Sequence, residues 1–508
     1  MRTCMRAALT SLLAACATQP VLTTSSPAPV APPAAAVSAP VQRAPLRVRT
    51  GTLQALVDSV TALPQFDNMH WGILIVAPAR GDTLAMRDAA RLAMPASNMK
   101  LVTAAVALAH LGPDFQWLTR FVRTGPVVHG VLRGDIVVHG DGDPSISVAM
   151  RGADPLVAFD RLVSALRAAG IRRIDGRVRA ADAPAFPGSP YGLGWEWDDL
   201  PEDYGAGVSE LLFNEGFTSV QVAGCARPGR AACVTTSPLG SSPLIRSSVT
   251  VRGAASGSAQ LSWWRDSATI AGITIEGSIA AGDSIAFTAA QPDVRQSYLS
   301  AVREAITRAG IVVSGKRQPS TIADTLMVLP SAPLSAVLPA LQKPSQNQIA
   351  EMLFRTLGLQ RTHVGVADSG RVVVERQLRE WGVRDDDRAI RDGSGLSRHG
   401  LLTPRAIVQV LDVMRRAPTF DVYRKALPIA GVDGSLRNRM STFAQGRVQA
   451  KTGSYDKARA LSGYVTTADG ELLLFSIIAN NYTVPTREVD RVAELIVERL
   501  VTLQRSTP

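Results

Sequence analysis

Apolar residues recur along this chain in several distinct rhythms. Leu101 to Leu111 is apolar on nearly every side and stops at Gly112-Pro113, which predicts a buried helix ended by a glycine and a proline. Gln348 to Leu357 carries apolar residues at helical spacing and predicts another helix. Towards the C-terminus, Gly446 to Lys451 predicts the beginning of a strand. Leu461 to Thr467, a turn at Asp469-Gly470 and Leu472 to Ala479 predict a hairpin. From about Phe121 to Ala323 the pattern changes to short β-like runs among Gly and Ser, such as Ser247 to Val251 and Ile270 to Ile275. That stretch predicts inserted material with sheets of its own.

The first residues follow another logic. Arg2 and Arg6 precede an apolar stretch, Ala7 to Ala15, that is too short to remain as a spanning helix. It ends in Leu13-Ala14-Ala15-Cys16, which resembles the bacterial lipobox, where cleavage precedes the cysteine and the thiol carries lipid. An ordinary signal peptide cleaved nearby is the competing reading, and both predict export. Residues 17–48 are rich in Pro, Ala, Ser and Thr, with Pro27, Pro29, Pro32, Pro33, Pro40 and Pro45. Such a segment builds no core and is expected to act as a stiff tether, reaching about 3 Å per residue where extended. Residues 1–16 are thus expected to be a lipoprotein-type signal, and Cys16 the point of membrane attachment.

Composition narrows the rest. With 46% hydrophobic and 19% charged residues over 508, the chain can bury substantial cores, which excludes global disorder. No run of eighteen uncharged apolar residues follows the first twenty positions, so a multi-span membrane protein is excluded as well. The net charge of +11 rests on 48 scattered arginines and only six lysines. Without a basic block or interleaved aromatics, it predicts no nucleic-acid partner. Beyond Cys4 and Cys16 there remain Cys225 and Cys233, flanking a Gly/Pro-containing stretch that can loop back, and a local disulfide is expected in an oxidising compartment. Two thiols without a nearby His, and six dispersed His residues, predict neither a metal site nor a cofactor.

Three short motifs carry chemistry. Ser97-Asn98-Met99-Lys100 opens the first apolar helix. A three-residue step puts serine and lysine on one face, and the helix N-terminus favours negative charge developing on the serine oxygen. A lysine desolvated beside an apolar helix can take the serine's proton, making a nucleophile without histidine. With 39 serines and six lysines about half a chance Ser-x-x-Lys match is expected. A second copy, Ser454-Tyr455-Asp456-Lys457, is set aside because no apolar helix follows it. The other motifs are unique: Ser345-Gln346-Asn347, where a serine helix cap is the plainer reading, and Lys451-Thr452-Gly453. Gly453, lacking a side chain, would let a substrate backbone approach the strand edge.

Ser-x-x-Lys, Ser-x-Asn and Lys-Thr-Gly in this order form the set used by penicillin-binding proteins and serine β-lactamases. From Trp71 to the last helix the chain resembles the class C low-molecular-mass penicillin-binding proteins, the D-alanyl-D-alanine carboxypeptidase/endopeptidase family typified by penicillin-binding protein 4. The resemblance rests on Pro95 to Leu101, Gly142-Asp143-Pro144, Trp195 to Asp199, Ser209 to Glu215, Asp392 to Arg398, Gly431 to Leu436 and Gly446 to Gly453. Ser454 departs from the threonine of many members but keeps a hydroxyl.

The resemblance implies an α/β (α+β) fold, with a serine β-lactamase/transpeptidase-like domain at 49–120 and 324–508. Its antiparallel sheet is flanked by helices, and large, mostly β, nested insertions occupy 121–323. The 245 positions between Lys100 and Ser345 independently require an insertion. The resemblance also implies that Ser97 attacks the bond between two D-alanines of a peptidoglycan stem peptide with Lys100 as base. Ser345 and Lys451 would relay the proton and Asn347 position the peptide. Thr452 and Ser454 would bind the terminal carboxylate, and β-lactams would be trapped as covalent esters. Asp143 is a candidate contact for the basic third residue of the peptide, against a plain Asp-Pro turn. Ser394 and Arg398 are candidates for lining the cleft, and Trp195 and Trp197 are expected in the core of the insert. The insert, remote in sequence from the motifs, is expected to leave acylation nearly intact when Cys225 and Cys233 are reduced. A β-lactamase and a non-catalytic wall-binding scaffold are the competing functions.

Overall fold

The computed structural model describes residues 52–505 except 239–243, 255–256, 258, 266–271, 317–321 and 443. Cys16, the segments 1–16 and 17–48, and Ile270 therefore lie outside the described residues. Five antiparallel strands form the central sheet, in the order Asp82–Arg87, His70–Ala77, Leu472–Asn480, Ala458–Thr466 and Val448–Tyr455. The expected C-terminal hairpin is its centre, and the first strand of the chain, His70–Ala77, pairs alongside with Ile73 opposite Ile477. Alternation along these strands feeds two apolar layers. Trp71, Ile73, Ile75, Phe475 and Ile477 face the terminal helices Thr52–Thr61 and Thr486–Val501. Leu74, Leu474, Ile478 and Tyr464 face a group of helices around Met99–Leu111.

That helix is buried from Met99 through Leu108, as its all-round apolar sequence demands, and ends at Gly112. Asn347–Thr362, Leu334–Gln342 and Pro404–Arg416 enclose it. The fold is the expected antiparallel sheet between helical layers.

The insertion leaves and returns through one pair of strands. Leu118–Thr124 lies antiparallel to Ala323–Pro330, and just outside them Trp117 and Ser331 exchange hydrogen bonds. These strands continue into Ile136–His139 and Val178–Ala180, and the helices Asp160–Ala168 and Val294–Arg308 pack with them through Phe121, Ile136, Leu162 and Val302. Nested within is a second body with its own core of Val220, Val222, Ile275 and Ala289. It contains a sheet of Cys233–Ser237, Phe217–Ala223 and Ser284–Ala290, and Cys225 and Cys233 are disulfide-bonded with Cα atoms 5.9 Å apart.

Candidate active site

The turn carrying Ser97 is an irregular piece of backbone held on every side. Ala96 takes φ +45°, Ala96–Asn98 forms a single 3-10 turn, and the long helix starts at Met99. A left-handed alanine is strained and persists only where the surroundings enforce it. Two glycines do so. A Cβ on Gly395 would lie 1.9 Å from the Ala96 carbonyl oxygen, and one on Gly453 would lie 2.5 Å from that of Pro95. Gly453, expected from the sequence to let a substrate backbone approach, is required here by the turn that carries Ser97. Asn98 locks the turn to the sheet by donating from Nδ2 to Ser462 Oγ at 2.7 Å.

Four remote stretches of chain meet here. Lys100 Nζ donates to Ser97 Oγ at 2.7 Å, to Asn347 Oδ1 at 2.5 Å and to the Ser394 carbonyl at 2.8 Å. Lys451 Nζ donates to Ser345 Oγ at 2.7 Å and to the Thr452 carbonyl at 2.8 Å. Both amines are wholly buried. Burial lowers the pKa of Lys100 to about 7, against the opposing charges of Asp392 and Glu351. Burial, and then the charge on Lys100, hold Lys451 well below the ordinary lysine value.

Ser345 is not the helix cap that its sequence position suggests. The helix starts at Asn347, Gln346 caps it by accepting from Gln348 N, and Ser345 sits before it at φ +69°. This left-handed turn aims the hydroxyl at Lys451. Asn347 spends both ends of its amide on protein, since Nδ2 donates to the Tyr204 carbonyl at 2.8 Å.

The cleft has a volume of about 740 Å³. Ser97, Ser345 and Asn347 form its floor, Thr452, Ser454 and Ser435 one side, and Glu196, Asp198, Asp199 and Tyr204 of the insert the other. Ser435 Oγ and Thr452 Oγ1 are 2.7 Å apart, and the guanidinium of Arg459 on the neighbouring strand donates to Ser454 Oγ. Arg398 reaches the cleft but is engaged: it pairs with Glu196 at 2.8 Å and lies 4.0 Å over the Tyr455 ring.

Several expectations change. Asp143 is buried away from the cleft lining, and its Oδ1 accepts from Ser145 N at 2.7 Å, so the Asp-Pro turn is its structural role. Ser394 is also buried; it touches Lys100 through its carbonyl and presents no side chain to a substrate. Trp195 and Trp197 are not core residues. Trp195 Nε1 donates to Asp392 Oδ2 at 3.0 Å, and Trp197 is 64% exposed, because both ride on the loop that walls the cleft. The insert is therefore not remote from the site.

Other residues at the site went unnoticed in the sequence. Gln348 Nε2 donates to the carbonyls of Asp203, Tyr204 and Ala206, tying the insert loop to the Ser345–Asn347 turn. Glu351 and Asp392 lie buried beneath Lys100. A carboxylate one turn after Asn347, among apolar neighbours, was the available signal for Glu351. Asp199 faces the cleft with Oδ1 accepting from Tyr204 OH at 3.1 Å, while its buried Oδ2 has no hydrogen-bond partner. Burial raises its pKa.

The sequence profile of the D-Ala-D-Ala carboxypeptidase 3 (S13) family matches residues 53–501. The chain belongs to that family. A D-alanyl-D-alanine carboxypeptidase of Actinomadura sp. (strain R39) is 33% identical over 458 residues, covering 86% of this chain and 82% of its own length. The D-alanyl-D-alanine carboxypeptidase DacB of Haemophilus influenzae is 25% identical over 443 residues, covering 84% of this chain and 88% of its own. The crystal structure of penicillin binding protein 4 (dacB) from Haemophilus influenzae shares the fold with a TM-score of 0.75 at 24% identity, over 88% of this chain and 99% of that one. In this S13 chain the matched span runs through the central sheet, both insertions and all three motifs.

Proposed function

We propose that this protein is a serine-type D-Ala-D-Ala carboxypeptidase of peptidoglycan stem peptides, with endopeptidase action on crosslinks as a second use of the same cleft. One observation carries the reading: the Ser97–Lys100 and Lys451–Ser345 contacts, both 2.7 Å, converge in one cleft. Ser97 Oγ attacks the penultimate D-alanine carbonyl while its proton passes to Lys100. The new C–O bond forms, the C–N bond breaks, and Ser345, backed by Lys451, delivers a proton to the departing D-alanine amine. Backbone N–H groups of Ser97 and Ser454 fit the oxyanion, and loss of one such donor typically costs about 3 kcal/mol. Asn347 holds Lys100 in line, which is the use its two bonds support. Thr452 and Ser454, next to Arg459, suit a terminal carboxylate. Water then hydrolyses the ester.

The acidic side of the cleft supports a stem peptide with a cationic third residue. Asp199 replaces Asp143 in that role, because it lines the cleft and Asp143 does not. The H. influenzae fold relative is also known as a complex with a novel β-lactam, which supports binding of such compounds in this cleft; covalent trapping at Ser97 is the mechanism's own expectation. We further propose export to the periplasm, with a lipid on Cys16 and residues 17–48 as the tether into the wall. Metabolic labelling with a radioactive fatty acid tests the anchor: Cys16→Ala should lose the label and appear in the soluble periplasmic fraction.

A fluorescent penicillin should label the purified protein, and Ser97→Ala should abolish labelling; persistent labelling would move the nucleophile elsewhere. Digestion of free pentapeptide and of crosslinked wall fragments, read by mass, separates carboxypeptidase from endopeptidase products. Rapid turnover of a chromogenic β-lactam would instead favour a β-lactamase, and absence of both labelling and products a scaffold.

A further inference from the structure

Beneath the Lys100 amine lie charged groups to which the reaction above gives no task. Glu351 stands one turn after Asn347 on the same helix and is 1% exposed. Its Oε1 accepts from the backbone N–H groups of Gly393 at 2.9 Å and Ser394 at 2.7 Å. The carbonyl of Ser394 is one of the three acceptors of Lys100 Nζ. Glu351 therefore holds the loop that holds the base, and Asn347, on the helix turn before it, holds the same amine directly. Asp392 ties the loop from within, accepting from Gly395 N at 2.9 Å and Ser397 N at 2.7 Å.

Two N–H donors need only a neutral oxygen, yet the residue is a carboxylate in a place where charge is costly. The charged groups around it come from each packed element. Lys100 lies on the nucleophile helix, Asp392 on the intervening loop and Arg355 on its own helix, while Lys451 on the strand Val448–Tyr455 interacts with Lys100. Burial, and then the charge on Asp392, push the Glu351 pKa up, while the charge on Glu351 opposes the burial that lowers Lys100.

We propose that Glu351 is a positioning residue for acylation: it aligns the Ser394 carbonyl on the Lys100 amine and, by its charge, governs how readily that amine gives up its proton. This rests on Lys100 being the base. Glu351→Gln keeps an acceptor for both N–H groups and removes the charge. The acid limb of the penicillin-acylation profile should move down by about one pH unit, with the high-pH plateau within about threefold of the parent. Glu351→Ala removes the acceptor as well, and its plateau should fall at least about tenfold with circular dichroism unchanged. A Gln profile that coincides with the parent's or moves up overturns the proposal, as does an Ala variant with the parental plateau. Should either variant fail to fold, Glu351→Asp keeps charge and shortens reach. A lowered plateau with an unmoved limb is then expected, and a parental plateau or a moved limb overturns the idea. Ser97→Ala is run in parallel. Label surviving there defeats the functional reading itself, whereas label lost there beside an unmoved Gln profile defeats only the role of Glu351.

Discussion

A lysine amine acts as a base only in the fraction of molecules where it has lost its proton. An exposed lysine would hold that proton at neutral pH, but at position 100 burial brings the pKa to about 7. The sign follows: below that value the amine is cationic and has no lone pair for the Ser97 proton, and above it the neutral form dominates. Penicillin-labelling rate should therefore climb about tenfold per pH unit below neutrality and flatten above it, measured under pseudo-first-order conditions. Lys100→Arg keeps the size and the positive charge but stays protonated, so labelling should fall by a factor of roughly a thousand with the fold retained. A flat profile for the parent, or an active Arg variant, would remove Lys100 as base. Residue type and the three-residue spacing made Lys100 legible in the sequence. Its depressed pKa was legible only as a possibility, because desolvation depends on what the rest of the chain places around it.

At the scale of elements, the site is a strained turn wedged between a strand and a loop. Gly453 faces the Pro95 carbonyl and Gly395 faces that of Ala96. Gly453→Ala should push the Lys451 strand off the nucleophile turn and cut acylation at least about tenfold, beyond any loss of melting temperature. The Met99–Leu111 helix and the C-terminal hairpin were readable because their periodicities are local and both faces of each are covered. The left-handed conformation of Ser345 was not readable, since serine before a helix ordinarily caps it; here Gln346 takes the cap and frees the hydroxyl for Lys451. Gln348 was equally hidden. Its amide satisfies three carbonyls of a loop more than a hundred residues away. Gln348→Leu should cost about 1–3 kcal/mol by chemical denaturation. It should also raise the KM for peptide more than it lowers kcat, because it loosens the cleft wall.

For the whole molecule, the insert walls the candidate cleft rather than standing apart as an appendage. From the nested body, Thr288 Oγ1 donates to Asp203 Oδ2 at 2.7 Å and Ala290 N to the Pro201 carbonyl at 2.9 Å, so the strand Ser284–Ala290 grips the loop that bears Asp199 and Tyr204. Thr288→Val should raise the KM for stem peptide severalfold, about three to ten, while penicillin labelling changes less. Asp199→Asn should weaken a peptide with a free amine at its third residue and leave the same peptide, acetylated there, nearly unaffected; equal effects on both would take the cation site away from Asp199. Reduction of the Cys225–Cys233 bond is accordingly no longer expected to be silent, because its strands lie one pairing from Ser284–Ala290. By itself the sequence singled out the three motifs, the buried helix, the central hairpin and the need for an insertion, since these are written in residue type and short-range spacing. Only the tertiary structure decided which acids line the cleft, what holds the lysine amine, and that the insert walls the cleft. Those depend on burial and on hydrogen bonds between residues a hundred to three hundred positions apart, which no local pattern encodes.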